Sequence, residues 1–144
     1  MKRTVLVTGG LGYIGSHTVV ELINECFEVI IIDNLSNSER FILERIEQIT
    51  GVQPVFYEAA LYNIAVVQQI FSTRLKDVFT HFAAFKYVYE SIKEPLQYFQ
   101  NNLISLLNVV RVMQDKGIKN LIFSSSATVY GQPDVLRATE QTPF

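Results

Sequence analysis

The segment TGGLGYIG, residues 8–15, is the strongest indication of the fold of this chain. It holds four of the seven glycines and satisfies both Gly-x-x-Gly-x-x-Gly and Gly-x-Gly-x-x-Gly. A short apolar run, residues 5–7, precedes it, and apolar residues at helical spacing follow it. A strand therefore turns sharply into a helix here, and glycine accepts both the dihedral angles and the close approach of a pyrophosphate. Because the helix N-terminus offers unpaired N–H groups and a partial positive charge, the loop predicts a dinucleotide site.

An acidic residue, Asp33, ends the next apolar run, 18 residues after Gly15. In this context a carboxylate accepts hydrogen bonds from the adenosine ribose hydroxyls. Its charge would repel a 2′-phosphate, and no arginine follows immediately, so the prediction is NAD rather than NADP. Two alternatives stay open: a tight glycine turn without a ligand, and a turn-forming aspartate before Asn34.

Strand-like apolar runs alternate with helical patterns along the whole chain. The predicted strands cover residues 5–7, 27–32, 54–57, 78–82 and 121–123, and helical spacing occupies 14–23, 42–49, 64–71 and 96–113. Gly117 is placed to end the last helix. The alternation predicts an α/β fold with a doubly wound parallel sheet of about five strands, Rossmann-like, forming one domain over residues 1–144. Such sheets bind ligands beyond the carboxyl ends of their strands, so function is expected at residues 8–15, 33–38, 58–62, 83–90 and 124–131.

Composition and charge narrow the class of protein further. The chain has 144 residues, 49% of them hydrophobic, so it can bury a sizeable core and is not intrinsically disordered. Its net charge of −2 gives no basic excess for nucleic-acid binding. One cysteine, Cys26, and two distant histidines, His17 and His81, argue against disulfides and metal binding, so both histidines are predicted to be structural. Without a signal peptide or an apolar run near the ~18 residues of a membrane span, the chain is predicted to be soluble and cytoplasmic, with no membrane partner.

Four segments together carry a resemblance to a known family. They are TGGLGYIGSH at 8–17, DNLSNS at 33–38, HFAAFK at 81–86 and FSSSATVYG at 123–131. The first resembles the extended short-chain dehydrogenase/reductase superfamily, and the other three resemble the UDP-glucose 4-epimerase family within it. An Asn101-Asn102 pair in the last predicted helix fits the same family. The resemblance covers essentially the whole chain.

The resemblance implies a reaction on a sugar nucleotide. In that family a tightly held NAD takes a hydride from C4 of a UDP-hexose, the 4-keto sugar rotates, and the hydride returns to the other face. This interconverts UDP-glucose and UDP-galactose. A Tyr-x-x-x-Lys pair on the helix after strand five supplies the base, and a serine at the end of that strand assists by hydrogen bonding.

The family's site residues can be carried over position by position. Ser126 matches the assisting catalytic serine, and no residue matches a metal ligand. The positions that match cofactor-binding residues are Gly9, Gly12, Tyr13, Ile14, Gly15, Asp33, Asn34, Asn37, Ser38, Leu61, Phe82, Ala83, Lys86, Asn101 and Ser124. Three of these have simpler interpretations: local hydrogen bonding for Ser126 and Asn101, and a solvated loop charge for Lys86.

The chain departs from the family pattern at several positions. The Tyr-x-x-x-Lys pair of the family is expected beyond Phe144, and the one match, Tyr89-x-x-x-Lys93, precedes the strand that carries Ser126. Ala60 stands where the family has an aspartate that accepts from the adenine amino group. Residues 1–144 are therefore expected to be an NAD-binding part without a substrate domain, inactive alone. A non-catalytic NAD-binding module and a truncated remnant are the alternatives.

Two further expectations concern partners. The sugar-nucleotide substrate is a UDP-sugar whose site lies largely outside residues 1–144. The family is usually dimeric through helices that match residues 63–73 and 94–115, so a homodimer is expected here. An open edge at the fifth strand also predicts self-association.

Overall fold

The computed structural model describes residues 2–73, 77–130 and 139–142. Within these ranges one parallel sheet has five strands in the order β3-β2-β1-β4-β5. The strands are β1 Thr4–Thr8, β2 Glu28–Asp33, β3 Val55–Glu58, β4 Val78–His81 and β5 Asn120–Phe123. The predicted doubly wound α/β fold is confirmed, and each strand bound lies within one residue of the predicted one.

The helices follow the predicted pattern up to β4 and differ after it. They are α1 Tyr13–Asn24, α2 Phe41–Thr50, α3 Ile64–Thr73, α4 Val88–Lys93, α5 Pro95–Phe99 and α6 Ser105–Lys116. A π-helical segment, Gln100–Ile104, joins α5 to α6, so the predicted long helix is interrupted. The short α4 was not predicted, because six residues carry too little apolar periodicity to identify a helix. Gly117, with φ of 69°, ends α6 in the left-handed conformation, as predicted.

Two apolar cores lie on opposite faces of the sheet. Leu6, Ile30 and Phe79 pack with residues of α3 and α6 on one face. Val7 and Ile31 pack with residues of α1 and α2 on the other. Successive side chains of a strand alternate between faces, so a central strand covered on both sides must be apolar throughout. This explains the nearly continuous apolar run that ends at Asp33.

Apolar side chains also remain exposed at two places. β5 lies at the edge of the sheet and exposes Leu121, Ile122 and Phe123. The second place, which we call the apolar face of α4–α6, consists of Ile92, Leu96, Phe99, Leu103 and Leu107. Among the described residues no helix is both long enough and apolar enough to cross a bilayer.

Candidate functional site

The glycine loop connects the buried strand β1 to α1. Gly9 has a φ of 65°, and its N–H donates to the Ile32 carbonyl over 2.8 Å. A Cβ at this position would lie 2.8 Å from the backbone N of Ala83 and 2.9 Å from its Cα. Only glycine allows both this backbone conformation and this approach. The loop after β1 is therefore packed directly against the loop after β4.

The first turn of α1 opens to solvent. Gly12 caps the helix without a side-chain hydrogen bond, and Tyr13 and Ile14 are 80% and 52% exposed. The first hydrogen bond of the helix runs from the Ser16 N–H to the Gly12 carbonyl, 2.9 Å. Toward other described residues, the backbone N–H groups of Tyr13 and Ile14 form no hydrogen bond. These donors, with the positive end of the helix dipole, suit an anion such as the pyrophosphate of a dinucleotide.

The Asp33 carboxylate links the glycine loop to the loop that follows β2. Its Oδ2 accepts from the Leu11 N–H over 3.0 Å. Its Oδ1 accepts from the Leu35 N–H over 3.0 Å and from the Ser38 hydroxyl over 2.8 Å. A carboxylate has about four acceptor positions, so about one remains for a ligand hydroxyl. Asp33 is only 8% exposed and is held in one orientation by these bonds.

The candidate residues 34–38 lie in the loop after β2, and they differ in role. Ser38 donates its hydroxyl to Asp33, which makes it a support of the carboxylate. The Asn34 side chain accepts from the Ser36 N–H, 3.2 Å, and the Ser36 hydroxyl, 2.7 Å, while Asn37 is exposed. Leu35 adopts a left-handed φ of 56° and packs against the core on the α1–α2 side. This strained turn keeps Asn34 and Asn37 beside the carboxyl end of β2.

The carboxyl end of β3 carries an ion pair that the sequence did not point to. Arg40 Nη1 lies 3.0 Å from Glu58 Oε2, and the Arg40 guanidinium lies 5.7 Å from the centre of the Phe56 ring. Leu61, a predicted cofactor residue, is buried in the core, and its carbonyl accepts from the Asn108 side chain over 3.0 Å. The Leu61 side chain is thus a packing element at this position.

The loop after β4 is held at two points. The Phe82 N–H donates to the Thr8 carbonyl over 3.1 Å. Further along, the Asn102 side chain accepts from the Phe85 N–H, 2.8 Å, and donates to the Phe85 carbonyl, 2.9 Å. Lys86, which follows directly, is exposed.

From the sequence, Asn102 was noted only as part of the Asn101-Asn102 pair, and Asn101 alone was predicted to be a site residue. The Asn101 side chain donates to Asn102 Oδ1 over 3.0 Å and so supports the residue that holds the loop. One feature of the sequence could have identified Asn102: it is an amide beside the apolar positions of a predicted helix, where a buried polar side chain requires a hydrogen-bond partner. The interrupting π-helical segment contains both asparagines.

The carboxyl ends of β1, β4 and β5 lie side by side. The Ser124 N–H donates to the His81 carbonyl over 3.1 Å, and the Ser126 carbonyl accepts from the Val129 N–H over 3.3 Å. Ser124 and Ser126 are both exposed. Gly131, the last residue of the predicted segment 123–131, lies outside the described residues.

His81 is buried between these strands rather than presented to a ligand. Its Nδ1 lies 2.8 Å from the Thr8 hydroxyl, and its ring stacks between Phe79 and Phe123. Burial lowers the pKa of His81 to about 4. The imidazole is therefore neutral near pH 7 and serves as a packing and hydrogen-bonding group.

The one Tyr-x-x-x-Lys match of the sequence, Tyr89 and Lys93, is a surface pair on α4. Lys93 Nζ lies 4.5 Å from the centre of the Tyr89 ring, and Tyr89 is 72% exposed. The ammonium contacts the aromatic face, as expected for a cation–π pair.

Comparison with known proteins identifies close relatives. Residues 6–144 match the family model described as GDP-mannose 4,6 dehydratase. The chain is 48% identical over 136 residues to the UDP-glucose 4-epimerase of Haemophilus influenzae, covering 94% of this chain and 40% of that protein. It is also 48% identical over 132 residues to a UDP-glucose 4-epimerase sequence of Klebsiella pneumoniae, covering 91% of this chain and 95% of that sequence.

A solved structure agrees over nearly the whole chain. UDP-glucose 4-epimerase from Bifidobacterium longum, in complex with NAD+ and UDP, superimposes with a TM-score of 0.92 at 46% identity. The match covers 97% of this chain and 42% of that one. The chain thus spans about 40% of the length of the Haemophilus influenzae relative.

Proposed function

The chain belongs to the UDP-glucose 4-epimerase family, and from this membership we propose that residues 1–144 are the NAD-binding part of an enzyme that interconverts UDP-glucose and UDP-galactose. The observation that carries the proposal is the solvent-exposed first turn of α1, whose open N–H groups adjoin the fixed Asp33 carboxylate. The N–H donors for a pyrophosphate and the carboxylate acceptor for a ribose therefore lie close together, at the carboxyl ends of β1 and β2. The relative from Bifidobacterium longum, crystallised with NAD+ and UDP, supports the same assignment.

The strand order gives the two halves of the dinucleotide separate places. β2 and β4 flank β1, so an extended ligand that crosses the glycine loop has Asp33 on one side and Phe82 and Ala83 on the other. The Asp33 carboxylate would accept from the adenosine ribose, and the N–H groups of Tyr13 and Ile14 would bind the pyrophosphate. The loop after β4 would then contact the nicotinamide half, with Lys86 at its exposed end.

The proposed chemistry divides between the cofactor and the chain. When bound, NAD supplies a hydride acceptor for C4 of the hexose. The Ser126 hydroxyl, at the exposed end of β5, would hydrogen-bond the C4 oxygen and orient it. The general base is proposed to come from a Tyr-x-x-x-Lys pair beyond residue 144. A polypeptide of residues 1–144 alone should therefore not epimerise, since loss of the acid/base group costs ~10²–10⁴ in rate.

Calorimetric titration with NAD tests the binding step, with Gly12→Ala as the decisive variant. A Cβ at Gly12 would contact only the Gly9 carbonyl oxygen, at 3.3 Å, so the fold should survive. The added methyl would block the approach of the pyrophosphate, and we expect at least a tenfold weaker Kd with only a small decrease in Tm, since the Gly9 carbonyl must shift slightly.

Gly51→Ala is the matched control for this titration. A Cβ there meets nothing within 4 Å, but Gly51 has a φ of 69°, so this variant should lower the Tm and leave the Kd for NAD unchanged. No heat of binding at millimolar NAD with the unaltered chain would refute the proposal. If NAD binds but a longer product of the same reading frame does not interconvert the UDP-hexoses, a non-catalytic NAD-binding module becomes the function.

We also propose that two copies associate through the apolar face of α4–α6. Its five side chains are each more than half exposed, at 74%, 82%, 60%, 52% and 66% in chain order, and they recur at intervals of three or four residues. A continuous apolar stripe of this kind is typical of a protein–protein contact. A second copy is the expected occupant, because the family resemblance implies dimers through helices that match residues 63–73 and 94–115, and the second range holds four of the five side chains.

A further inference from the structure

A surface ion pair borders the proposed adenosine end of the site. Arg40 lies directly before α2, and Glu58 is the last residue of β3. Both therefore lie on the side of the sheet where the strands have their carboxyl ends. The guanidinium Nη1 and the carboxylate Oε2 lie 3.0 Å apart. Neither residue matched a cofactor-binding position of the family.

The register of the sheet brings Glu58 next to Asp33. The two residues are Cα partners in the parallel pair β2–β3, and the Ala59 N–H donates to the Asp33 carbonyl over 3.0 Å. Register partners of neighbouring strands are about 4.8 Å apart and point to the same face of a sheet. Two carboxylates therefore lie at the carboxyl ends of β2 and β3, and Arg40 is bound to that of Glu58.

The ion pair is exposed, so it can exchange partners. The Arg40 and Glu58 side chains are 69% and 53% exposed, and ion pairs in such surroundings are weak. A phosphate group binds a guanidinium in a bidentate, charge-assisted manner and would compete well for a free Arg40. While Glu58 holds the guanidinium, however, a phosphate must displace a carboxylate and approach a second one.

We infer that Glu58 is a specificity-determining residue that excludes a dinucleotide with a 2′-phosphate by holding the Arg40 guanidinium. The inference rests on the proposed dinucleotide site. A ribose with a free 2′-hydroxyl meets Asp33 as an acceptor and needs nothing from Arg40. A 2′-phosphate meets two carboxylates and an arginine that is already neutralised. Discrimination thus comes from the ion pair as well as from Asp33.

Calorimetric titration of NAD and NADP tests this inference on three proteins: the unaltered chain, Glu58→Gln, and Glu58→Gln combined with Arg40→Gln. Glu58→Gln should tighten NADP binding about tenfold while NAD changes less than about twofold. Adding Arg40→Gln should return the affinity for NADP to that of the unaltered chain. A merely structural role of Glu58 would not predict this reversal. The increase in NADP affinity caused by Glu58→Gln should also be smaller at high salt.

Glu44→Gln is the matched control, since it makes the same charge change at an exposed position of α2. It should leave the ratio of the NADP and NAD dissociation constants unchanged. An unchanged ratio in Glu58→Gln, with NAD still bound, would overturn the inference alone. So would an equal loss of NAD and NADP binding when Arg40→Gln is added to Glu58→Gln, which would mean that the guanidinium contacts the shared adenine half. Binding of neither dinucleotide to the unaltered chain would overturn the proposed function and this inference together.

Discussion

The Thr8 hydroxyl and His81 Nδ1 lie 2.8 Å apart at the adjoining ends of β1 and β4. His81 is 2% exposed, and its backbone carbonyl also accepts from the Ser124 N–H, so one residue links three neighbouring strands. Burial lowers the pKa of its imidazole from 6.5 to about 4. The hydrogen bond to Thr8 and the stacking on two rings are therefore made by the neutral side chain.

This depressed pKa predicts that acid destabilises the fold. Between pH 6.5 and 4 the unfolded chain binds a proton at His81 that the folded chain does not, so stability is lost as pH falls through this range. From pH 7 to pH 5 the loss from this residue should be about 2 kcal/mol. Urea unfolding at the two pH values measures it. His81→Gln should remove that part of the pH dependence, whereas His17→Gln, at an exposed position, should retain it.

A second prediction concerns the amide that holds the loop after β4. In the unaltered chain, the Phe85 N–H and the Phe85 carbonyl are both hydrogen-bonded to the Asn102 side chain. Asn102→Asp retains the acceptor but places a carboxylate oxygen against the Phe85 carbonyl, which should cost about 1–3 kcal/mol. Hydrogen exchange should show faster exchange of the Phe85 amide while the amides of β1 remain protected.

Asn101→Ala is the control for Asn102. It removes one hydrogen bond, between the two side chains, and leaves both bonds to Phe85 in place. If this variant released the Phe85 amide as fully as Asn102→Asp, the assignment of the loop contact to Asn102 would be wrong.

A structural feature could be predicted from the sequence where neighbouring residues determine it, and could not where tertiary packing determines it. The glycine loop, Asp33 and the five strands were predictable, because turn geometry and apolar runs are set by neighbouring residues. The interruption of the last helix was not, since apolar spacing continues across the π-helical segment. Nor was the support of Asp33 by Ser38, which depends on how the loop after β2 folds back, or the Arg40–Glu58 pair, which depends on how the start of α2 packs beside β3.

A third prediction follows from strain at the turn between α1 and β2. Cys26 is exposed and has a φ of 64°, and its N–H donates to the Ile23 carbonyl over 2.9 Å. This is the position after a helix where glycine is usual, and an L-residue there costs about 1–2 kcal/mol. Cys26→Gly should raise the free energy of unfolding by up to about 1 kcal/mol, after the larger chain entropy of glycine is subtracted. Cys26→Ala, which keeps the strain, should give no gain in urea unfolding.

The last prediction tests which surface joins two copies. If the apolar face of α4–α6 is the contact, Leu96→Glu with Leu103→Glu should convert a dimer into a 16.4 kDa monomer in sedimentation equilibrium, because the contact would bury unpaired charges. Ile49→Glu is the control, since Ile49 is equally apolar and 67% exposed but lies on α2. The edge strand β5 offers a competing contact, and a lysine at an edge opposes strand pairing. Association that survives the double variant and is abolished by Ile122→Lys would place the contact at β5 and contradict the proposal for α4–α6.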